Sequence, residues 1–170
     1  MNLCVKCAQY ERTCCQKTEV FITDGDIQRI SEHVGDRAFW HYRQPADTDL
    51  VQPQPQDPNW LLYTVRPDGT RPQLHQQPSG DCTFLTPTGC ALPTGVRPLI
   101  CRLYPYDYTE TGISGIVPGC PTYLLQPGQT LLEGIGMRLD EAKRWQRQLY
   151  DELRIGSIWH ENRHYLRPAS

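Results

Sequence analysis

Cysteines are the residues of this chain whose type and spacing most directly indicate chemistry. All eight fall in two segments, residues 1–18 and 80–121, which a long cysteine-free stretch separates. The first segment contains Cys4, Cys7, Cys14 and Cys15, and the second contains Cys82, Cys90, Cys101 and Cys120. A Cys-x-x-Cys pair such as Cys4 and Cys7 is a common metal half-site, although redox motifs share the spacing. We predict that all eight sulfurs are metal ligands and that the metal joins the two segments.

The adjacent cysteines Cys14 and Cys15 favour a centre with more than one metal ion. Neighbouring side chains in extended backbone point to opposite sides, so both sulfurs reach one ion only if the backbone bends. In a simpler arrangement each sulfur serves a different metal or a different edge of one cluster. Thiolates suit both iron and zinc, so an iron–sulfur cluster, such as a 4Fe–4S cluster, and Zn²⁺ both stay open. The adjacent pair inclines the prediction towards iron–sulfur.

Basic residues near the cysteines are suited to balance the charge of such a centre. Four thiolates around Zn²⁺ or around a 4Fe–4S core leave a net charge of about −2, which needs nearby cations when it is buried. Arg97 and Arg102 flank Cys101. We predict that these two arginines are partners either of the metal centre or of nearby carboxylates. Gly and Pro beside the second-segment cysteines predict loops in which backbone amides approach sulfur.

A disulfide framework and a set of buried thiols are two other uses of eight cysteines. Disulfides are typical of exported proteins, whereas the sequence runs from Met1 directly to Cys4 without an apolar signal region. We therefore expect a cytoplasmic protein with reduced cysteines. Buried thiols are disfavoured because these cysteines lie in polar, turn-rich sequence.

Charge and motif content disfavour several other classes of function. The net charge is −2, so we expect no general attraction to nucleic acid or to anionic membranes. No apolar run approaches the ~18 residues of a membrane span. Glycine-rich nucleotide-binding loops and serine-nucleophile motifs are absent from the sequence. His160 and His164 are predicted to form a solvated surface pair rather than a metal site.

The elements that must position the cysteines are expected to be short. With 15 Pro and 13 Gly among 170 residues, the composition predicts many turns in one domain over 1–170. Hydrophobic spacing and capping residues predict a strand at 19–23 and a helix that begins at Thr23 or Asp24, runs to Val34 and is ended by Gly35. A short helix is predicted around Phe39, Trp40 and Tyr42, followed by a surface loop at 44–58 and a hairpin at 60–75. An amphipathic helix at 130–154 is predicted to cover the core. The predicted fold class is α+β: a small, loop-rich domain with short hairpins and a long C-terminal helix, stapled by metal–cysteine ligation.

The order of the cysteine motifs is also specific. It runs Cys4-x-x-Cys7, Cys14-Cys15, Cys82-Thr-Phe-Leu85, Gly89-Cys90, Arg97-Pro-Leu-Ile-Cys101-Arg-Leu-Tyr-Pro105 and finally Cys120. This order resembles that of the bacterial "CxxCxxCC" or YkgJ-like cysteine-cluster family, described as zinc- or iron-chelating proteins. The residues Ala8 to Thr13 lengthen the spacing between the second and third cysteines relative to the family. The resemblance implies metal chelation. Flagellin lysine N-methylases contain a related segment, but the resemblance does not extend to their activity.

Three functions are compatible with these observations. The first is a metal-cluster protein in electron transfer, redox sensing or a cluster-dependent reaction, which would have a protein redox partner. The second is a structural zinc protein that acts as a partner-binding module, for which a closed four-cysteine site is typical. The third is a small enzyme in which metal activates a substrate, which requires an open ligand position and a pocket. The sequence favours them in this order and does not decide whether the protein is an enzyme.

Overall fold

The computed structural model describes residues 3–10, 14–48 and 52–165, of which residues 158–165 are described by their backbone alone. The helices are α1 (Leu3–Tyr10), α2 (Asp24–Val34), α3 (Trp60–Thr64), α4 (Leu99–Leu103), α5 (Leu131–Ile135) and α6 (Leu139–Tyr165), with a 3-10 helix at Thr122–Leu124. The strands are β1 (Trp40–Arg43), β2 (Arg71–Leu74), β3 (Leu85–Thr86), β4 (Gly89–Cys90), β5 (Tyr106–Thr109) and β6 (Gly112–Ile116).

The strands pair as three separate antiparallel ribbons, β1 with β2, β3 with β4 and β5 with β6. The segment predicted as a strand at 19–23 runs beside β2, where the amide of Leu74 donates to the carbonyl of Val20 at 2.9 Å. Its one bridge to the described residues joins Phe21 to Gln73, so it is an extended edge rather than a full strand. The predicted fold class, α+β with short hairpins and a long C-terminal helix, is confirmed. Its stapling by metal stays a prediction.

The capping residues of α2 were predicted correctly. The Thr23 hydroxyl accepts from the amide of Asp26 at 3.0 Å, and the Asp26 carboxylate accepts from the amide of Thr23 at 3.1 Å. This reciprocal pair is a capping box, which satisfies amides that the first helical turn leaves without a partner. Gly35 ends the helix with φ 82°, a conformation that costs glycine little.

Two predictions in the central part of the chain were wrong. The segment around Phe39, Trp40 and Tyr42 forms strand β1 rather than a helix, and β2 pairs with β1 instead of closing a hairpin at 60–75. The run that begins at Trp60 is helix α3, whose Trp60 and Tyr63 pack against a hydrophobic cluster. A short apolar run fits a buried strand or a buried helix equally well, so packing rather than periodicity decides between them.

The predicted helix at 130–154 is divided into α5 and α6. A capping box between Thr130 and Glu133 starts α5, and Gly136 ends it with φ 70°. The long helix then begins at Leu139 and continues beyond residue 154 to Tyr165. Ala142, Leu149 and Leu153 form a buried stripe along it, whereas Leu139, which has the same hydrophobic spacing, is 47% exposed. Within the described residues, no helix combines the length and the apolar character that a membrane span requires.

Two hydrophobic clusters lie on either side of the extended segment that precedes α2. The first cluster includes Ile22, Ile30 and Cys82, and the second includes Phe21, Leu99 and Leu149. Phe21 and Ile22 enter opposite clusters because successive side chains in extended backbone point to opposite sides. The first cluster lies against the cysteine segments, and the second is covered by α6.

Candidate metal centre

The two cysteine segments, which are distant in the sequence, meet in the fold. The amide of Cys82 donates to the carbonyl of Cys15 at 2.8 Å, and the amide of Lys17 donates to the carbonyl of Gly80 at 3.0 Å. Farther along, the Lys6 ammonium donates to the carbonyl of Leu124 at 3.1 Å. The backbone of residues 15–17 is thus held against residues 80–82, and α1 is held beside the 3-10 helix that follows Cys120.

The Cys4-x-x-Cys7 motif lies on helix α1, which was not predicted from the sequence. Residues three apart are neighbours on one helix face, so both sulfurs project from the same side of α1. Leu3 is 2% exposed and anchors the helix. Leu3 lies close to Gly134 of α5, where an added Cβ would be 3.7 Å from the Cβ of Leu3.

Four cysteines, which we call the inner group, pack against the first hydrophobic cluster. Cys82 is a buried member of that cluster, while Cys15, Cys90 and Cys101 are half-buried beside it. Backbone amides donate to two of these sulfurs, those of Phe84 and Leu85 to Cys82 and that of Leu92 to Cys90. Such amide–sulfur bonds orient thiolate ligands and tune the metals that they bind.

The remaining four cysteines, which we call the outer group, lie outside that cluster. Cys4 and Cys14 are exposed, whereas Cys7 and Cys120 are half-buried. The Tyr104 hydroxyl donates a hydrogen bond to the Cys120 sulfur. Burial, with the nearby thiols of Cys120, Cys14 and Cys7, raises the pKa of Tyr104 to about 12. Tyr104 is a site residue that the sequence reasoning missed, although it lies inside the Arg97–Pro105 motif.

Burial and the crowding of neighbouring thiols both oppose ionisation of the cysteines. Burial raises the pKa of Cys82 to about 11, and the neighbouring Cys15 and Cys90 add to the shift. Burial also raises the pKa of Cys101 well above its ordinary value, with further contributions from Cys15, Cys82 and Cys90. Each thiolate therefore disfavours the next one in the absence of a cation. A bound metal ion reverses this effect because it favours the deprotonated form of every sulfur that it ligates.

The structure gives Arg97 and Arg102 different surroundings. The Arg97 guanidinium donates to the Cys90 sulfur, and its charge opposes the rise in the pKa of Cys4 that burial and neighbouring cysteines cause. Its Nε donates to the carbonyl of Leu92 at 2.8 Å. Arg102 is buried, and its Nε donates to the carbonyl of Arg97 at 2.7 Å. Both Cys101 and the carboxylates of Asp26 and Glu152 favour the charged form of Arg102, so its surroundings include both predicted kinds of partner.

Asp26 positions the helix that carries Cys101, a role that its place in the first turn of α2 did not reveal. One of its carboxylate oxygens accepts from the amide of Leu99 at 3.1 Å, at the start of α4, and from Arg29 at 2.6 Å. Asp26 is completely buried. This burial raises its pKa, against the opposing effect of the Thr23 amide and the Arg29 guanidinium.

The donor chemistry of the region fits a thiophilic metal. All eight cysteines lie in the described residues and none is in a disulfide. Neighbouring cysteines contribute to the raised pKa of Cys4, Cys14, Cys82, Cys90 and Cys101. Among the described residues, however, no three His, Cys, Asp or Glu side chains converge closely enough to hold an ion. Metal binding would therefore have to draw the sulfurs closer together.

Among the described side chains, the histidines make no comparable cluster with the cysteines. The Nε2–H group of His75 donates to the carbonyl of Trp40 at 3.0 Å, and its ring lies 4.4 Å from that of His41. The predicted surface pair of His160 and His164 lies on α6, where side chains are outside the described part of the structure.

Comparison with protein-family models, curated proteins and solved structures finds no match to this chain. Membership of the cysteine-cluster family therefore stays a prediction from the order of the cysteine motifs.

Proposed function

We propose that the protein binds metal through its eight cysteines, as an iron–sulfur protein with a redox or cluster-dependent role. The observation that carries this proposal is the meeting of two distant cysteine segments whose cysteines are not in disulfides, with the amide of Cys82 donating to the carbonyl of Cys15. A fold that only needed small buried hydrophobes would not leave Cys4 and Cys14 exposed. The proposal includes membership of the YkgJ-like family, a cytoplasmic location and a protein redox partner.

The surrounding groups support a negatively charged centre. Arg97 donates to Cys90 and lies near Cys4, so one cation is close to both cysteine segments. Amide donors to Cys82 and Cys90 are typical of thiolates whose charge a protein must stabilise. In an iron–sulfur protein these groups would tune the reduction potential of the cluster.

A structural zinc protein that acts as a partner-binding module is the second candidate. The inner group favours it, because Cys82 belongs to the hydrophobic cluster and its three companions pack beside it. Structural zinc sites are closed, four-coordinate and coupled to folding. In this candidate the metal would replace part of the core.

The content of metal and acid-labile sulfide in protein purified without oxygen distinguishes the two candidates. Iron together with sulfide and a visible iron–sulfur chromophore is expected from the first proposal. A colourless protein with stoichiometric zinc would overturn the iron–sulfur proposal in favour of the structural zinc protein. A protein that contains neither metal and binds neither on reconstitution would overturn both.

Substitution of Cys101 tests whether metal and fold are coupled. Cys101 lies on α4 and packs beside the first hydrophobic cluster. We expect Cys101→Ser to lose metal and to unfold at a lower temperature, since the free energy of metal binding contributes to folding. Metal analysis and calorimetry measure the two effects. Unchanged metal content and melting temperature would contradict the assignment, and Ala91→Ser, at an exposed position next to Cys90, is the control.

A further inference from the structure

We propose that the cysteines form two four-cysteine metal sites rather than one shared centre. The inner site consists of Cys15, Cys82, Cys90 and Cys101, and the outer site consists of Cys4, Cys7, Cys14 and Cys120. This inference rests on the proposed metal-binding function and adds the grouping of the ligands. Each site would take up a thiophilic metal and release thiol protons to solvent.

The inner grouping follows from packing. Its four cysteines are the cysteines that lie in or against the first hydrophobic cluster. They come from the loops that contain Cys15 and Cys82, from strand β4 and from helix α4. The amide of Cys82 donates to the carbonyl of Cys15 at 2.8 Å. The amide of Ala91 donates to the carbonyl of Phe84 at 2.8 Å, next to the pairing of Leu85 with Cys90. Asp26 fixes the start of α4 and thereby the position of Cys101.

The outer grouping follows from the position of α1. Cys4 and Cys7 lie one turn apart on this helix, and Lys6 between them bonds to the carbonyl of Leu124 at 3.1 Å. The 3-10 helix that contains Leu124 begins directly after Cys120 and Pro121, and the amide of Thr122 donates to the carbonyl of Cys120 at 2.9 Å. The docking of α1 therefore brings Cys4 and Cys7 towards Cys120.

The boundary between the two sites runs between Cys14 and Cys15. Cys15 is half-buried against the hydrophobic cluster, whereas Cys14 is exposed. The Cys14 and Cys15 thiols share a hydrogen bond, so the two groups meet at this adjacent pair. Arg97 lies between the groups, since it donates to Cys90 and also acts on Cys4. One guanidinium is therefore placed to offset negative charge from both sites.

The different surroundings of the two groups predict different exchange of metal. The inner sulfurs are held by the core and by backbone amides, so release from them requires part of the fold to open. The outer group contains two exposed residues, Cys4 and Cys14, so a chelator approaches it without opening the hydrophobic cluster. We therefore expect the outer site to exchange or lose metal first and the inner site to be structural.

Native mass spectrometry of the anaerobically purified full chain, with iron, zinc and sulfide analysis, tests the grouping. The variants are Cys120→Ser for the outer site and Cys82→Ser for the inner site. The control is Ala8→Ser, which introduces the same side chain next to Cys7. We expect two metal centres in the wild type and the control. Cys120→Ser should keep one centre and nearly the wild-type melting temperature, and the fast phase of metal release to EDTA should disappear.

The outcomes separate this inference from the proposed function. Wild-type protein without metal would overturn the proposed function itself. Metal in a single centre, or loss of all metal from Cys120→Ser, would overturn the grouping while leaving metal binding intact. If Cys82→Ser fails to fold, Cys120→Ser and Cys4→Ser still decide, because both should retain the same inner centre.

Discussion

Arg97 and Arg102 show how the same residue type serves different purposes five residues apart. Arg97 is half-buried and donates to the Cys90 sulfur, whereas Arg102 is buried and donates to the carbonyl of Arg97 at 2.7 Å. Burial lowers the pKa of Arg102, and the nearby Arg29 charge lowers it further. From the sequence, both arginines are predicted to pair with negative charge. Only their surroundings show that Arg97 contacts a cysteine and that Arg102 holds the backbone of Arg97.

Under the proposed function, removal of the Arg97 charge is expected to speed the release of metal from the cysteines. Arg97→Gln should release metal to a chelator about tenfold faster, which corresponds to ~1.4 kcal/mol, because less positive charge would offset the thiolates. Arg97→Lys keeps the charge and should release metal at close to the wild-type rate. Stopped-flow release with a chromogenic chelator measures all three proteins. Equal rates for the Lys and Gln variants would assign the effect to the lost hydrogen bonds instead of the charge.

Helix α1 is the element that brings the first two cysteines to the site. It has 8 residues, which is too short for a stable isolated helix. Its docking therefore depends on tertiary contacts, chiefly the buried Leu3 and the bond from Lys6 to Leu124. This dependence makes α1 an element whose stability can be changed without altering a cysteine.

Truncation of Leu3 should undock α1 while leaving the core folded. Loss of a buried leucine side chain typically costs about 2–5 kcal/mol, which exceeds what so short a helix gains by itself. We expect the amides of residues 3–10 to exchange at least ~10-fold faster in Leu3→Ala, as measured by hydrogen–deuterium exchange. Tyr10→Ala, at a residue 74% exposed on the same helix, is the control and should leave the exchange unchanged. Equal protection in Leu3→Ala would show that other contacts hold the helix.

At the scale of the whole molecule, one polar network joins the elements around the two hydrophobic clusters. Arg29 bonds to Asp26 and to Glu152, each at 2.6 Å, and Glu152 also accepts from Thr23. Gly25 has no side chain, and a Cβ there would overlap the Glu152 carboxylate. The network thereby connects α6 to the start of α2 and, through Asp26, to the helix that carries Cys101.

The network predicts a pH-dependent contribution from Glu152. Burial opposes its ionisation, but bonds from Arg29, Thr23 and Gln148 hold its pKa below the ordinary 4.5. Just below pH 4.5 the folded protein therefore binds fewer protons at this carboxyl than the unfolded chain does, so stability rises with pH there. At pH 7, Glu152→Gln should lower the free energy of unfolding by about 1.5–3 kcal/mol. This difference should shrink as the pH falls through the folded pKa.

Urea unfolding of both proteins from pH 7 down to pH 3 measures that difference. Any metal bound as proposed would be lost in acid from both proteins alike, so only their difference in stability is compared. Asp151→Asn on the same helix is the control, since its pairing with Arg154 is exposed and worth at most ~1 kcal/mol. A difference that stays constant with pH would show that packing, and not the charge of Glu152, stabilises the fold.

The elements that could be predicted from the sequence are those whose signals are local. The ends of α2 follow from Thr23 and Gly35, and the buried stripe of α6 follows from the spacing of Ala142, Leu149 and Leu153. The errors concern segments whose state depends on distant partners. Trp60 begins a helix because that helix packs against the second hydrophobic cluster and α6, and β1 forms because β2 is beside it. Neither partner can be read from the segment itself.

The sequence by itself determined the chemistry of this protein: the thiol donors, their two segments, the flanking arginines and the α+β class, because residue types and local periodicity carry that information. Only the tertiary structure decided the arrangement. The amide of Cys82 bonds to the carbonyl of Cys15, Cys14 is exposed, and the Asp26 carboxylate accepts from the first amide of the helix that carries Cys101. Such contacts depend on which hydrophobic faces pack together, and packing is a property of the whole chain rather than of any segment.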